Sequence, residues 1–113
     1  MDLDTIPWRT TRYPGVAVHF YASNERTKRV LALIRMDAGC GYPRHRHQST
    51  EEVLVLSGGY QDELGSYNKG QLVRYEPGTE HTPRAMAQKS PGDRSPRPCV
   101  LLALAHEGIE LLG

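Results

Sequence analysis

The sequence predicts an all-β fold, a sandwich or small barrel assembled from many short strands. Apolar residues alternate with period two over short runs, and glycine and proline clusters interrupt those runs at regular spacing. Helical periodicity is nearly absent.

Taken in order, residues 16–21 read as a strand that ends in the polar turn Ser23, Asn24, Glu25, Arg26, Thr27, Lys28. Residues 29–37 form the second. There Val30, Ala32, Ile34 and Met36 alternate with Leu31, Leu33, Arg35 and Asp37, so one face is apolar throughout and the other partly polar. Gly39 and Gly41 break it. Residues 51–56 are nearly continuous apolar sequence after two glutamates, as expected of a strand in the middle of a barrel wall. Ser57, Gly58 and Gly59 lead into a strand over 60–63, and 65–70 is expected to turn. Residues 71–75, 82–86 and 100–106 supply the remaining strands, and closure as a jelly roll protects the edges. Residues 87–98, rich in proline, serine and basic side chains, bury little and are expected to form a mobile loop, with a lid or partner-docking role as the sharper alternative. In the tail, Ile109, Leu111 and Leu112 suggest a homodimer contact or a plug at the bottom of the barrel.

A chain of 113 residues suits a single domain over 1–113, with its core at about 14–106. A formal net charge of +1 implies neither a nucleic-acid nor a membrane partner. The N-terminal residues carry no basic and apolar leader pattern, and the apolar run at 100–105 is too short to span a bilayer, so a cytoplasmic protein is expected. Cys40 and Cys99 are read as reduced thiols, with Cys40 at the mouth of the expected site and the one to watch for redox chemistry.

The chemistry concentrates in residues 39–58. On an extended strand His45 and His47 project to the same side, so two imidazoles can reach one ion about 2 Å away. Glu51 adds a carboxylate if the chain turns through Gln48, Ser49 and Thr50, and Val53 and Val55 then extend its face as an apolar lining. A second segment ends a strand at Pro77-Gly78 and places His81 three residues after that glycine. Three nitrogens and one oxygen would leave one or two coordination positions open. Iron, zinc, manganese and nickel all suit such a set, as one divalent ion.

These segments resemble the paired motifs of the cupin superfamily. The first has Gly39, His45-x-His47, Glu51 and Gly58 at every fixed position; the second has Gly70, Pro77-Gly78 and His81. It departs where Glu76 replaces a usual proline and Ala85 a usual asparagine. The runs Pro43-Arg-His-Arg-His47, Glu51-Glu-Val-Leu-Val-Leu56 and Val73-Arg-Tyr75, with Pro14-Gly15-Val16 near the start, are similar to the ChrR-like cupins. The resemblance spans about residues 8–106 and implies a jelly-roll barrel with His45, His47, Glu51 and His81 as metal ligands. It implies zinc by likeness to the anti-sigma member, or iron by likeness to small dioxygenases that cleave diketones or aromatic ketones.

Three functions follow as expectations: a metal-dependent enzyme of dioxygenase type with a small-molecule ligand in the barrel, a zinc-binding sensory module, or a barrel stabilised by a metal without catalysis. Arg35, Tyr42, Arg74 and Arg84 are candidates to line or rim the pocket, whereas His19 and His106 read as strand residues and Glu52 should point outward. No general base stands out beyond the ligand set, so the catalytic residues are unassigned.

Overall fold

The structure is a computed structural model that describes residues 2–89 and 91–105, and the backbone of 109–111. After a single 3-10 turn at Leu3–Thr5, the described chain is strand and connecting loop: β1 Arg9–Thr10, β2 Val16–Asn24, β3 Arg29–Met36, β4 His45–His47, β5 Glu51–Ser57, β6 Gly59–Asp62, β7 Gly65–Asn68, β8 Leu72–Tyr75, β9 Glu80–His81, β10 Arg84–Ala85, β11 Cys99–Ala105 and β12 Ile109–Leu111. The expected all-β class is correct.

A six-stranded sheet runs β1-β2-β3-β11-β5-β8, and two three-stranded sheets run β10-β6-β7 and β12-β4-β9. The named strands pair antiparallel throughout. Residues from the large sheet and from both small ones meet in one core, including Met36, Val53, Leu101, Tyr60 and Ala85. The period-two pattern of β3 sends Ile34 and Met36 into this interior, while Leu33, fully buried, packs on the other side. On that side the Arg35 guanidinium lies over the Trp8 ring at 5.6 Å, so the N-terminal segment covers part of the outer face.

Several boundaries differ from expectation for local reasons. β2 runs on to Asn24, whose Oδ1 accepts from the Arg26 and Thr27 amides and closes the turn later than the polar cluster suggests. Residues 65–68, expected to turn, are a strand, because the hairpin closes earlier: Asp62 Oδ1 accepts from Leu64 N at 2.8 Å and Gly65 N at 3.1 Å. Of the strand expected over 82–86 only Arg84–Ala85 forms, as β10, while β9 at Glu80–His81 precedes it, and Pro83 between them offers no amide to a ladder. Part of the tail, Ile109–Leu111, is a strand on β4, whereas His106 and Leu112 lie outside the described residues. In the 87–98 segment Gln88 and Arg97 form an isolated bridge, and Arg97 Nε donates to Asp93 Oδ2 at 3.0 Å.

The loop before β4 is hooked to β10 by Gly39 N–H to Ala85 O and Ala85 N–H to Cys40 O, both 2.9 Å, with Gly41 bridged to Arg84. A methyl group on Gly41 would collide with the Pro83 carbonyl oxygen and neighbouring backbone. Backbone cannot step aside as a side chain can. Gly41→Ala should therefore lower Tm by about 10 °C, as expected for about 2 kcal/mol in a domain of this size. Differential scanning fluorimetry checks it.

Candidate metal centre

Strand pairing builds the centre. In the ladder between β4 and β9 His81 stands directly opposite His45, and Arg46 opposite Glu80. His47, two residues along, shares the face of His45. Directly opposed side chains begin about 5 Å apart, close enough for imidazoles to converge on one point. The Pro77-Gly78 turn sets the register. Gly78, at φ +88°, donates its amide to His47 O at 2.8 Å, and His47 N donates to Thr79 O at 2.9 Å. On the other face Arg44 and Arg46 pair with the Glu80 carboxylate at 2.8 and 3.7 Å.

The three histidines are buried, and their ring nitrogens draw together: His81 Nε2 lies 2.9 Å from His45 Nε2 and 2.9 Å from His47 Nε2. Partners on the far side of two rings fix their tautomers. The Pro43 carbonyl and the Asp62 carboxylate can only accept, so His45 Nδ1 donates to Pro43 O at 2.9 Å and His81 Nδ1 donates to Asp62 Oδ2 at 2.8 Å. With both rings neutral, their Nε2 atoms present lone pairs to each other. Two lone pairs at that separation repel unless a cation lies between them, and a proton is disfavoured: burial lowers the pKa of His45, and burial followed by the neighbouring histidines lowers that of His47 to about 4. The three-histidine group could thus hold a metal ion, and neutral imidazoles at this spacing fit one.

Glu51, at the start of β5, reaches the same region, with Oε1 3.8 Å from His47 Nδ1. The converging group itself is made of the three histidines. Burial raises the Glu51 pKa to about 7. Val53 and Val55 follow it on its face and are buried, as the alternation requires, and Glu52 is not among the residues around the cavity.

Asp62 escaped the sequence reading. Its side chain is fully buried, and Oδ2 accepts from both His81 Nδ1 and the Tyr75 hydroxyl, the latter at 2.7 Å. Tyr60 in turn donates to the Tyr75 oxygen at 2.6 Å. Burial opposes the charge on Asp62, but hydrogen bonds from His81, Tyr75 and the Leu64 amide outweigh it and hold the carboxyl below its ordinary range. A carboxylate that orients a ligating histidine in this way makes its free nitrogen a better donor. Tyr75 also stacks on His47, centroids 5.0 Å apart and planes at 4°, and so positions a second ring. Alternation along β6 puts Tyr60 and Asp62 on one face, which is a sequence signal; their proximity to His81 comes from pairing remote in sequence.

A cavity of about 350 Å³ opens beside the histidines, walled by apolar side chains such as Ile34, Met36, Val53 and Leu101, with His45, Glu51 and His81 on its polar side. Of the four candidates to line it, Tyr42 alone does so. Arg35 instead covers Trp8, Arg74 Nε pairs with Glu76 at 2.8 Å on the surface, and exposed Arg84 points to Gly39 O at 3.4 Å. Cys40 packs beside Gly15 and is not among the lining residues. Burial lifts the Cys99 thiol to about 12 and leaves it unreactive.

This arrangement of sheets around an internal histidine cluster is the cupin fold, shared with an RmlC-like cupin from Ralstonia eutropha JMP134 at TM-score 0.78 and 19% identity over 96% of this chain and 68% of that one. The chain belongs to the ChrR cupin-like domain family, which matches residues 1–90. A chain in the crystal structure of Rhodobacter sphaeroides SigE in complex with the anti-sigma ChrR superposes at TM-score 0.76 and 26% identity, over 92% of this chain and 51% of that one. The present chain therefore spans about half the length of that neighbour. An acetylacetone dioxygenase from Acinetobacter johnsonii shares the fold at TM-score 0.81 and 11% identity, over 100% of this chain and 76% of its own. No curated protein matches the sequence.

His47→Ala should abolish stoichiometric zinc binding in calorimetry, whereas Asp62→Asn should weaken it by about 10- to 100-fold. The pH dependence has a defined sign. In the metal-free protein Glu51, raised from 4.5 to about 7, stabilises the fold at low pH and loses that effect as pH rises through 7; His47, lowered from 6.5 to about 4, stabilises above 6.5 and loses its effect as pH falls through 4. The Glu51 and His47 slopes oppose each other between 4.5 and 6.5, and His45, lowered as well, tips the balance, so metal-free stability should rise with pH toward 6.5. Metal binding releases protons from ligating groups, so the Tm gain on adding zinc should be larger at about pH 8 than at about pH 5.5. Thermal melts with and without metal measure it.

Proposed function

We propose that the chain is a metal-dependent enzyme of dioxygenase type, acting on a diketone or aromatic ketone chelated to a divalent ion in the cavity. The observation that carries this reading is a largely apolar cavity of about 350 Å³ opening directly onto the three-histidine cluster, without a lysine or arginine in its lining. A small, uncharged organic molecule with metal-binding oxygens matches both halves of that space.

In this reading His45, His47 and His81 hold the ion, with Glu51 as the fourth donor. The ion, iron for oxygenase chemistry and otherwise zinc, manganese or nickel, supplies Lewis acidity toward a carbonyl or enolate. The protein does the rest through its own side chains. Asp62 holds His81 in the tautomer that offers Nε2, and Pro43 O does the same for His45. Met36, Val53 and Leu101 contact the organic part of the ligand and exclude water, which strengthens every electrostatic interaction beside them. Glu51 must give up its proton to serve as a donor, which favours operation above pH 7.

We read the chain as one cupin unit over 1–113, cytoplasmic and homodimeric, with neither nucleic acid nor membrane as partner. A net charge of +1 supports the latter part. Among the described residues no helix is long and apolar enough to cross a membrane. Exposed Phe20, Tyr21 and Leu72 supply apolar surface for a second copy.

A regulatory zinc module is the alternative, favoured by the 26% identity with a chain of the SigE–ChrR complex. Anaerobic loading with ferrous iron, followed by air and 1-phenyl-1,3-butanedione, separates the two. Oxygen uptake that disappears in His81→Ala is expected for the enzyme. Zinc as the native metal, with no uptake in the iron form, would instead support the regulatory reading.

A further inference from the structure

Three tyrosines line the cavity, Tyr42, Tyr60 and Tyr75. Two have their hydroxyls committed: Tyr60 donates to Tyr75, and Tyr75 donates to Asp62. The Tyr42 hydroxyl has no hydrogen-bond partner among the described residues. Yet no buried side-chain polar atom among them lacks a partner. A partnerless hydroxyl on a cavity-lining residue is therefore one that solvent or a ligand can reach.

The Tyr42 ring is fixed before anything binds. It meets Tyr13 edge to face with centroids 5.4 Å apart, and His45 in the same manner at 6.1 Å. A ligand gripped there would order little beyond one hydroxyl rotor, which keeps the entropic penalty of the hydrogen bond small. A phenol hydroxyl keeps its proton at neutral pH, so the group is a donor. Apart from the histidines and Glu51, the lining offers a ligand only tyrosine hydroxyls as polar side-chain atoms. With Glu51 turned to the metal, and Tyr60 and Tyr75 engaged with Asp62, a ligand oxygen finds one free donor.

We propose that Tyr42 is the specificity-determining donor of this cavity, hydrogen-bonding an oxygen of the bound ligand beside the histidine cluster and so selecting for a carbonyl or enol acceptor over a purely apolar molecule. This assignment rests on the metal-dependent reading given above. It adds a second polar anchor to the metal and fixes which end of the ligand faces the histidines.

The test uses zinc-loaded protein, in which no turnover intervenes, titrated with 1-phenyl-1,3-butanedione and followed by calorimetry and by the absorbance of the chelate. Tyr42→Phe should bind the diketone about tenfold more weakly, with zinc affinity and Tm unchanged. Equal diketone affinity in the two proteins would overturn the role of Tyr42 and leave the functional reading intact. Loss of zinc affinity or of Tm in the variant would make the hydroxyl structural and overturn it as well. Failure of the wild-type protein to bind the diketone while holding one zinc would sink the functional reading, and the assignment with it.

Discussion

The pairing of β4 with β9 is the constraint on which the rest depends. It sets His81 across from His45, and a slip of one residue would turn the histidines of one strand to the opposite face of the sheet. Two features hold the register. The Pro77-Gly78 turn is tied to β4 through backbone bonds on both sides of His47, and Glu80 on the far face bridges Arg44 and Arg46. The second contact is exposed and weak by itself, but a register shift would break it together with the turn bonds.

Clustering three imidazoles in a buried space is unfavourable without an ion, and the surrounding residues explain how the fold tolerates it. His45 and His81 each pass their one proton outward, to Pro43 O and to Asp62, so neither Nδ1 is left unsatisfied. Asp62 brings a buried carboxylate, which is expensive alone. Hydrogen bonds from His81, Tyr75 and the turn amides of Leu64 and Gly65 supply what water would have given. The same carboxylate thus closes the β6–β7 hairpin and orients the His81 ring, so turn formation and site assembly are coupled through one residue.

Much of this was legible in the sequence where the signal is local. The spacing of His45 and His47, and of Gly78 and His81, identifies the histidine cluster, because strand alternation and a Pro-Gly turn are properties of a few adjacent residues. The apolar alternation of β3 likewise identifies the residues that wall the cavity. What escaped depends on pairing distant in sequence. Asp62 reads as a polar residue before a turn, and only the approach of β6 to β9 makes it the partner of His81. The arginines show the same limit from the other side. Arg35, Arg74 and Arg84 each find a nearer ring, carboxylate or carbonyl than the cavity, and sequence does not rank those neighbours.

The division of labour among the tyrosines follows from the same geometry. Tyr60 and Tyr75, 1% and 2% exposed, lie where water cannot reach, so their hydroxyls must be satisfied within the protein, and Asp62 satisfies both in a chain. Tyr42 is only half-buried, packed on Tyr13 and His45 through its ring. Its hydroxyl can be left unpaired because solvent serves it until a ligand arrives. A cavity with apolar walls, a cluster of imidazoles on one side and a single uncommitted donor nearby would, on the proposed reading, discriminate by placement. On that reading it would accept a molecule whose oxygens match both anchors and disfavour one with a further negative charge, for which the lining holds no lysine or arginine.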